Sequence, residues 1–172
     1  MGLFTVKETE KQDYKPLPEG NYECVITKAG LDATKGGTEY INITLKVRKD
    51  LDNVDKLKET NGKYHNRNVY VSIYKRRDTG EYSDEDLSNV MTAAGIPVGT
   101  EIASWDQFSE LLQNKPVRAF VKVEDNTYQG KTTQRNRVWP NNFYKTDYPL
   151  QEDPFKDSNI ADVEVNDNDL PF

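Results

Sequence analysis

Histidine, cysteine and tryptophan are nearly absent from this chain: one His, one Cys and two Trp in 172 residues. The lone Cys24 closes no intramolecular disulfide and excludes a cysteine-rich zinc site. The lone His65 excludes His-paired metal ligation and argues against a His-based catalytic triad. It lies in a polar stretch and reads as a solvated loop residue. No apolar run approaches the roughly 20 residues that span a bilayer. "MGLFTVKETEKQ" lacks the basic start and apolar core of a signal peptide, and Val6 stands where a myristoylation motif needs Ser or Thr. "TKGG" lacks the GK[ST] of a phosphate-binding loop. The expectation is a non-enzymatic protein of a reducing cytoplasm, with no membrane partner, metal or cofactor.

Apolar residues are also scarce, at 35%, and the mean hydropathy is -0.88. A modest core is possible, with long stretches outside it. The net charge of -6 divides unevenly: residues 151–172 carry seven acids against Lys156, while the other 150 residues balance at 22 acids and 22 bases. A segment of that composition repels itself and buries little. The sequence therefore divides into a flexible leader (1–15), one folded domain (16–148) and a disordered acidic tail (149–172).

What remains is well patterned. After "PLPEG", the run 21–30 reads as a strand and "LDATKGGTE" as a turn. In "YINITLKVRK", Ile41, Ile43, Leu45 and Val47 alternate with Tyr40, Asn42, Thr44, Lys46 and Arg48. Residues 50–67 form a polar excursion. "NVYVSIYK" alternates again, with Val69, Val71 and Ile73 opposite Tyr70, Ser72 and Tyr74. Ser83 and Asp86 resemble a helix cap ahead of Leu87, Val90, Met91 and Ala94 at helical spacing, and Gly95 and Pro97 end that helix. The acids Asp84, Glu85 and Asp86 are what a helix's first turn favours, not a metal cluster. Ser104 and Gln107 open a second helix whose Trp105, Phe108, Leu111 and Leu112 form a core stripe. "PVRAFVKVE" alternates, "EDNTYQG" turns, and "KTTQRNRVWP" returns as a final strand. Three strands, a helical segment and two more strands give the element order of an OB-fold, a five-stranded antiparallel barrel.

On the solvent faces of those strands, bases interleave with aromatic rings. Residues 61–77 hold five bases and no acid, and residues 126–146 hold four bases and no acid. By parity Lys131, Thr133, Arg135, Arg137 and Trp139 share one face. Cations track phosphates and flat rings stack on unpaired bases, so this mixture suits single-stranded nucleic acid. The candidate contacts are Tyr40, Lys46, Arg48, Tyr70, Tyr74, Lys75, Arg76, Tyr128, Lys131, Arg135, Arg137 and Trp139. Cross-strand pairing of Tyr and Arg on an ordinary sheet surface is the plainer explanation of the same residues.

The sequence ends "NDNDLPF". Acids followed by Leu170, Pro171 and Phe172 resemble the interaction tip of bacterial single-stranded DNA-binding proteins, where isoleucine usually precedes the Pro-Phe. The resemblance implies that Pro171 and Phe172 enter an apolar pocket on replication and repair enzymes while Asp167 and Asp169 meet a basic rim. That family's long Gly/Gln-rich linker is missing here. The body, through "PLPEGNYECVITKAG", "TKGGTEYINITLKV", "AAGIP" and "NKPVRAFVKVE", resembles instead a family of short bacteriophage proteins encoded near recombination genes. That family is regarded as phage single-stranded DNA-binding proteins, which implies an OB-type body coating DNA in the cytoplasm of a bacterial host. Strand-annealing accessory and virion assembly protein remain the alternatives, and homo-oligomerisation stays open.

Overall fold

The computed structural model describes residues 2–8, 15–151 and 155. Six strands are connected in antiparallel fashion: β1 (Gly20–Ala33), β2 (Glu39–Val47), β3 (Asn68–Tyr74), β4 (Pro116–Tyr128), β5 (Lys131–Arg137) and the two-residue β6 (Phe143–Tyr144). The sheet runs in the order β3-β2-β1-β4-β5, and β6 pairs with β4. Helices α2 (Asp84–Ala93) and α3 (Trp105–Leu112) lie between β3 and β4, and a short α1 (Asn61–Tyr64) lies between β2 and β3. This is the mostly β, OB-type order that the patterning predicts.

Burial follows parity. Ile41, Ile43, Leu45 and Val47 of β2 and Val69, Val71 and Ile73 of β3 are buried, together with Val117, Ala119 and Val121 of β4. On β1 the inward positions move from even numbers (Tyr22, Cys24, Ile26) to odd (Ala29). The cause is a β-bulge between Ile26 and Lys28, where the ladder to β2 steps from Leu45 to Thr44 across one extra residue, Thr27. Phe108 and Leu112 of α3 and Val90 of α2 complete the core. Both helix caps form as expected: the Ser83 hydroxyl accepts from the Asp86 amide and the Ser104 hydroxyl from the Gln107 amide.

Two hairpins are longer than the turn chemistry suggests. β1 continues through Ala33 and β2 resumes at Glu39, leaving only 34–38 as the turn, with Gly37 at φ +87°. β4 runs on to Tyr128 and β5 begins at Lys131, so residues 124–128, expected as turn, are strand. Gln129 and Gly130 both have positive φ, which is how a two-residue hairpin matches the twist of its strands. These extensions bury little; backbone pairing rather than core packing holds them.

The barrel stays open. Among the described residues β3 and β5 are not hydrogen-bonded to each other. At one end, the segment ahead of β1 lies between them. The Asn136 side chain of β5 brackets Leu17, accepting from its amide and donating to its carbonyl, both at 2.8 Å. Arg67, just before β3, donates to the Lys15 carbonyl at 2.7 Å, and Leu17 is fully buried.

The 50–67 excursion is more structured than its polarity suggests. Asn61 is buried and accepts from the Glu23 amide while donating to the carbonyls of Glu23 and Arg48. Such an amide satisfies three backbone groups at once.

Candidate nucleic-acid interface

Alternation sets which side chains face solvent around the open seam. Tyr70, Ser72 and Tyr74 of β3 point outward because Val69, Val71 and Ile73 fill the core. On β5, Arg135 and Arg137 stand opposite Glu124 and Lys122 of β4, on the outer face. The two edges bound a cleft of about 670 Å³ lined by Tyr70, Tyr74, Arg135, Arg137 and Trp139, with Asn68, Ser72 and Gln134 between them. Tyr70 is 62% exposed, Tyr74 50% and Trp139 38%, so all three rings are available for stacking. Residues more than sixty positions apart in sequence therefore meet in one place.

The rings are held in orientation. Tyr40 and Tyr74 are cross-strand partners whose rings stack at 5.3 Å, 27° from parallel, extending the platform onto β2. Desolvation, then the Asp32 carboxylate facing Tyr40 from β1, raises the Tyr40 phenol above its ordinary value, so it adds no anion at neutral pH. The Arg137 guanidinium lies 3.8 Å from the Trp139 ring centre and 3.8 Å from a Glu124 carboxylate oxygen. One face of the indole is covered by that cation, and the residue is still 38% exposed.

The remaining candidates fall outside this cleft. Lys46 is on the outer face of β2, its ammonium 4.4 Å from the ring centre of Phe155. Lys75 and Arg76 follow β3 directly; Lys75 pairs with Glu39 at 3.5 Å and Arg76 with Asp78 at 3.0 Å. Tyr128 and Lys131 are paired across the tip of the exposed β4–β5 hairpin. Asp167, Asp169, Leu170, Pro171 and Phe172 lie outside the described residues.

Arg48 corrects the sequence reading. It is 1% exposed, gripping Asp50 through Nε at 2.9 Å and Nη2 at 2.6 Å, while Nη1 donates to the Thr146 hydroxyl and the Tyr148 carbonyl. Strand β2 ends at Val47; Arg48 keeps to the outer side that parity assigns, but the 146–148 segment covers it there. Nearby, Glu23 is buried on the outer side of β1, where the Thr146 hydroxyl and the Asp147 amide donate to its carboxylate. This buried polar cluster fastens residues 146–148 to the body and covers that part of the sheet. Parity gave no warning of it, because β6 and its continuation are too short to pattern.

Sequence reasoning also missed Asn68, Gln134 and Asp86 in the cleft. Asn68 and Gln134 were legible as polar strand positions flanking the rings; nothing in the local sequence marks Asp86 beyond its place in a helix's first turn. Among the described residues no group of three or more His, Cys, Asp or Glu is arranged to hold a metal, and no helix is long and apolar enough to cross a membrane.

Fold and site together define an OB-type β domain whose open seam carries an aromatic, cationic cleft. The chain belongs to the family described as "Protein of unknown function (DUF669)", which matches residues 4–154. No curated protein matches the sequence. A similar solved structure is "Yeast RPA bound to ssDNA", 9% identical, with a TM-score of 0.35 over 85% of this chain and 84% of the other.

Proposed function

We propose that this protein is a non-enzymatic bacteriophage protein that binds single-stranded DNA without sequence preference through the β3/β5 cleft. The observation that carries the reading is the convergence of Tyr70, Tyr74 and Trp139 with Arg135 and Arg137 on one exposed cleft, from distant parts of the chain. Stacking on an aromatic ring favours any base by about 1–3 kcal/mol, and arginines beside the rings meet the phosphates. A duplex hides the base faces that such rings need, so single strands are preferred.

The acidic tail then serves as the partner arm: Leu170, Pro171 and Phe172 dock on replication and recombination enzymes, with Asp167 and Asp169 guiding approach. Phe155 against Lys46 supports a tail that begins on the same outer face as the rings. Bound DNA and the anionic tail compete for that face.

Titration of a Trp105→Phe chain with oligo-dT, followed by Trp139 fluorescence at several salt concentrations, tests the reading. Saturable quenching that weakens with salt and is not produced by duplex is expected. Absence of quenching at low salt would remove DNA as the ligand. Deleting residues 169–172 should abolish capture of replication enzymes while oligo-dT affinity is kept or raised; capture that persists would refute the arm.

A further inference from the structure

A second cleft of about 680 Å³ opens between α2, the loop after it and α3, lined by Leu87, Met91, Ile96, Ile102, Trp105 and Phe108. Leu87 and Met91 share one face of α2 at helical spacing. Gly95 (φ +89°) and Gly99 (φ +94°) turn the chain so that Ile96 and Ile102 face them. Trp105 packs edge-on against Phe108 and Tyr82, each at 5.4 Å, fixing the indole as the groove's wall. Val98 on the rim is 91% exposed.

The electrostatics exclude nucleic acid here. Residues 78–114 contain eight acids and no Lys or Arg. An occupant must be apolar and must not be anionic. Gly2–Lys7 fits both conditions: Leu3 is 97% exposed, Phe4 75% and Val6 85%, and the segment carries Lys7 and no acid. In the single chain these side chains are exposed and, among the described residues, none fills the groove, so the described part of one molecule displays both an open apolar groove and an unburied apolar segment.

We infer that the Leu3–Val6 segment of one copy seats in the α2/α3 groove of another. Lys15 is tied down by Arg67, and nine residue steps from Lys15 back to Val6 reach at most ~30 Å, enough to cross to a neighbouring body. The contact is head-to-tail: each copy keeps one groove and one arm for further neighbours, so the assembly grows as an open row.

Sedimentation velocity of the full chain over a wide concentration range is the test, with Phe4→Asp on the arm and Leu87→Glu on the groove, both folded by far-UV circular dichroism. Mass that rises with concentration is expected, and each substitution should weaken self-association by roughly tenfold or more. A peptide of residues 2–8 added to full-length Phe4→Asp/Trp139→Phe should shift Trp105 emission saturably; the same peptide carrying Phe4→Ala should not. A single-chain mass at every concentration overturns the exchange, including when the peptide binds, since the arm then sits in its own groove. Self-association unchanged by both substitutions overturns it as well.

Discussion

Two clefts of nearly equal volume lie in this domain, and they differ in almost every chemical respect. The one between β3 and β5 is bordered by tyrosines, a tryptophan and arginines; the one between α2 and α3 is apolar, lined by aliphatic side chains with Trp105 and Phe108, and sits in a stretch without a single base. A near-neutral body thus conceals two opposed surfaces. Net charge describes neither: arginines line one cleft, and the stretch that frames the other holds eight acids and no base.

The comparison can be broken most severely at a residue that belongs to neither cleft. Arg48→Ala leaves Asp50 and the Tyr148 carbonyl without their buried partner and should cost about 3–5 kcal/mol of stability in urea unfolding. Oligo-dT affinity of the folded fraction should stay the same; a parallel loss of affinity would return Arg48 to the interface. Next in size, Tyr70→Ala with Trp139→Ala should weaken oligo-dT binding by about 1–3 kcal/mol per lost stack while the unfolding midpoint barely moves, because both rings are exposed. Smaller still, Arg135→Gln should lower the slope of log affinity against log salt by about 0.7, the value for one contact on a single strand. Asp106→Lys on α3 should change oligo-dT affinity least of all; a large gain there would mean that the two surfaces are not electrically separate.

A pH series sharpens the same contrast from the interior. Burial raises the Glu23 carboxyl above its ordinary 4.5, opposed by donation from Thr146 and Asp147. A carboxyl whose folded pKa is raised binds its proton more tightly in the folded state. Its contribution to stability is therefore greatest below 4.5 and is lost as pH climbs through the folded value. Glu23→Gln should remove that decline, which paired urea titrations from acid to neutral pH would read; identical slopes in the two chains would exclude Glu23 as the source.

Much of this was readable in advance because period-two alternation is a strong signal where one strand face fills a core. Ile41 to Val47 and Val69 to Ile73 announced both their strands and, by subtraction, the outward rings of Tyr70 and Tyr74. The helix caps at Ser83 and Ser104 were equally plain. Parity fails where a strand slips, and it does not report what covers a face. Arg48 is on the outer side but lies beneath residues 146–148, and Thr27 shifts the phase of β1 without any glycine or proline to signal it. The meeting of β3 with β5 depends on how far the barrel curls, a tertiary quantity that no local window contains. The Glu23–Arg48 cluster draws on three separated segments, residues 23, 48–50 and 146–148, and the last has no pattern of its own.

Thr27 carries a consequence for engineering. Because the ladder passes from Ile26–Leu45 straight to Lys28–Thr44, excising that one residue would leave every rung between β1 and β2 intact. What would be lost is a bend, placed just where β1 parts company with β4 after Val25. If that bend sets the gauge of the β3/β5 slot, spin labels on Ser72 and Gln134 should then move apart.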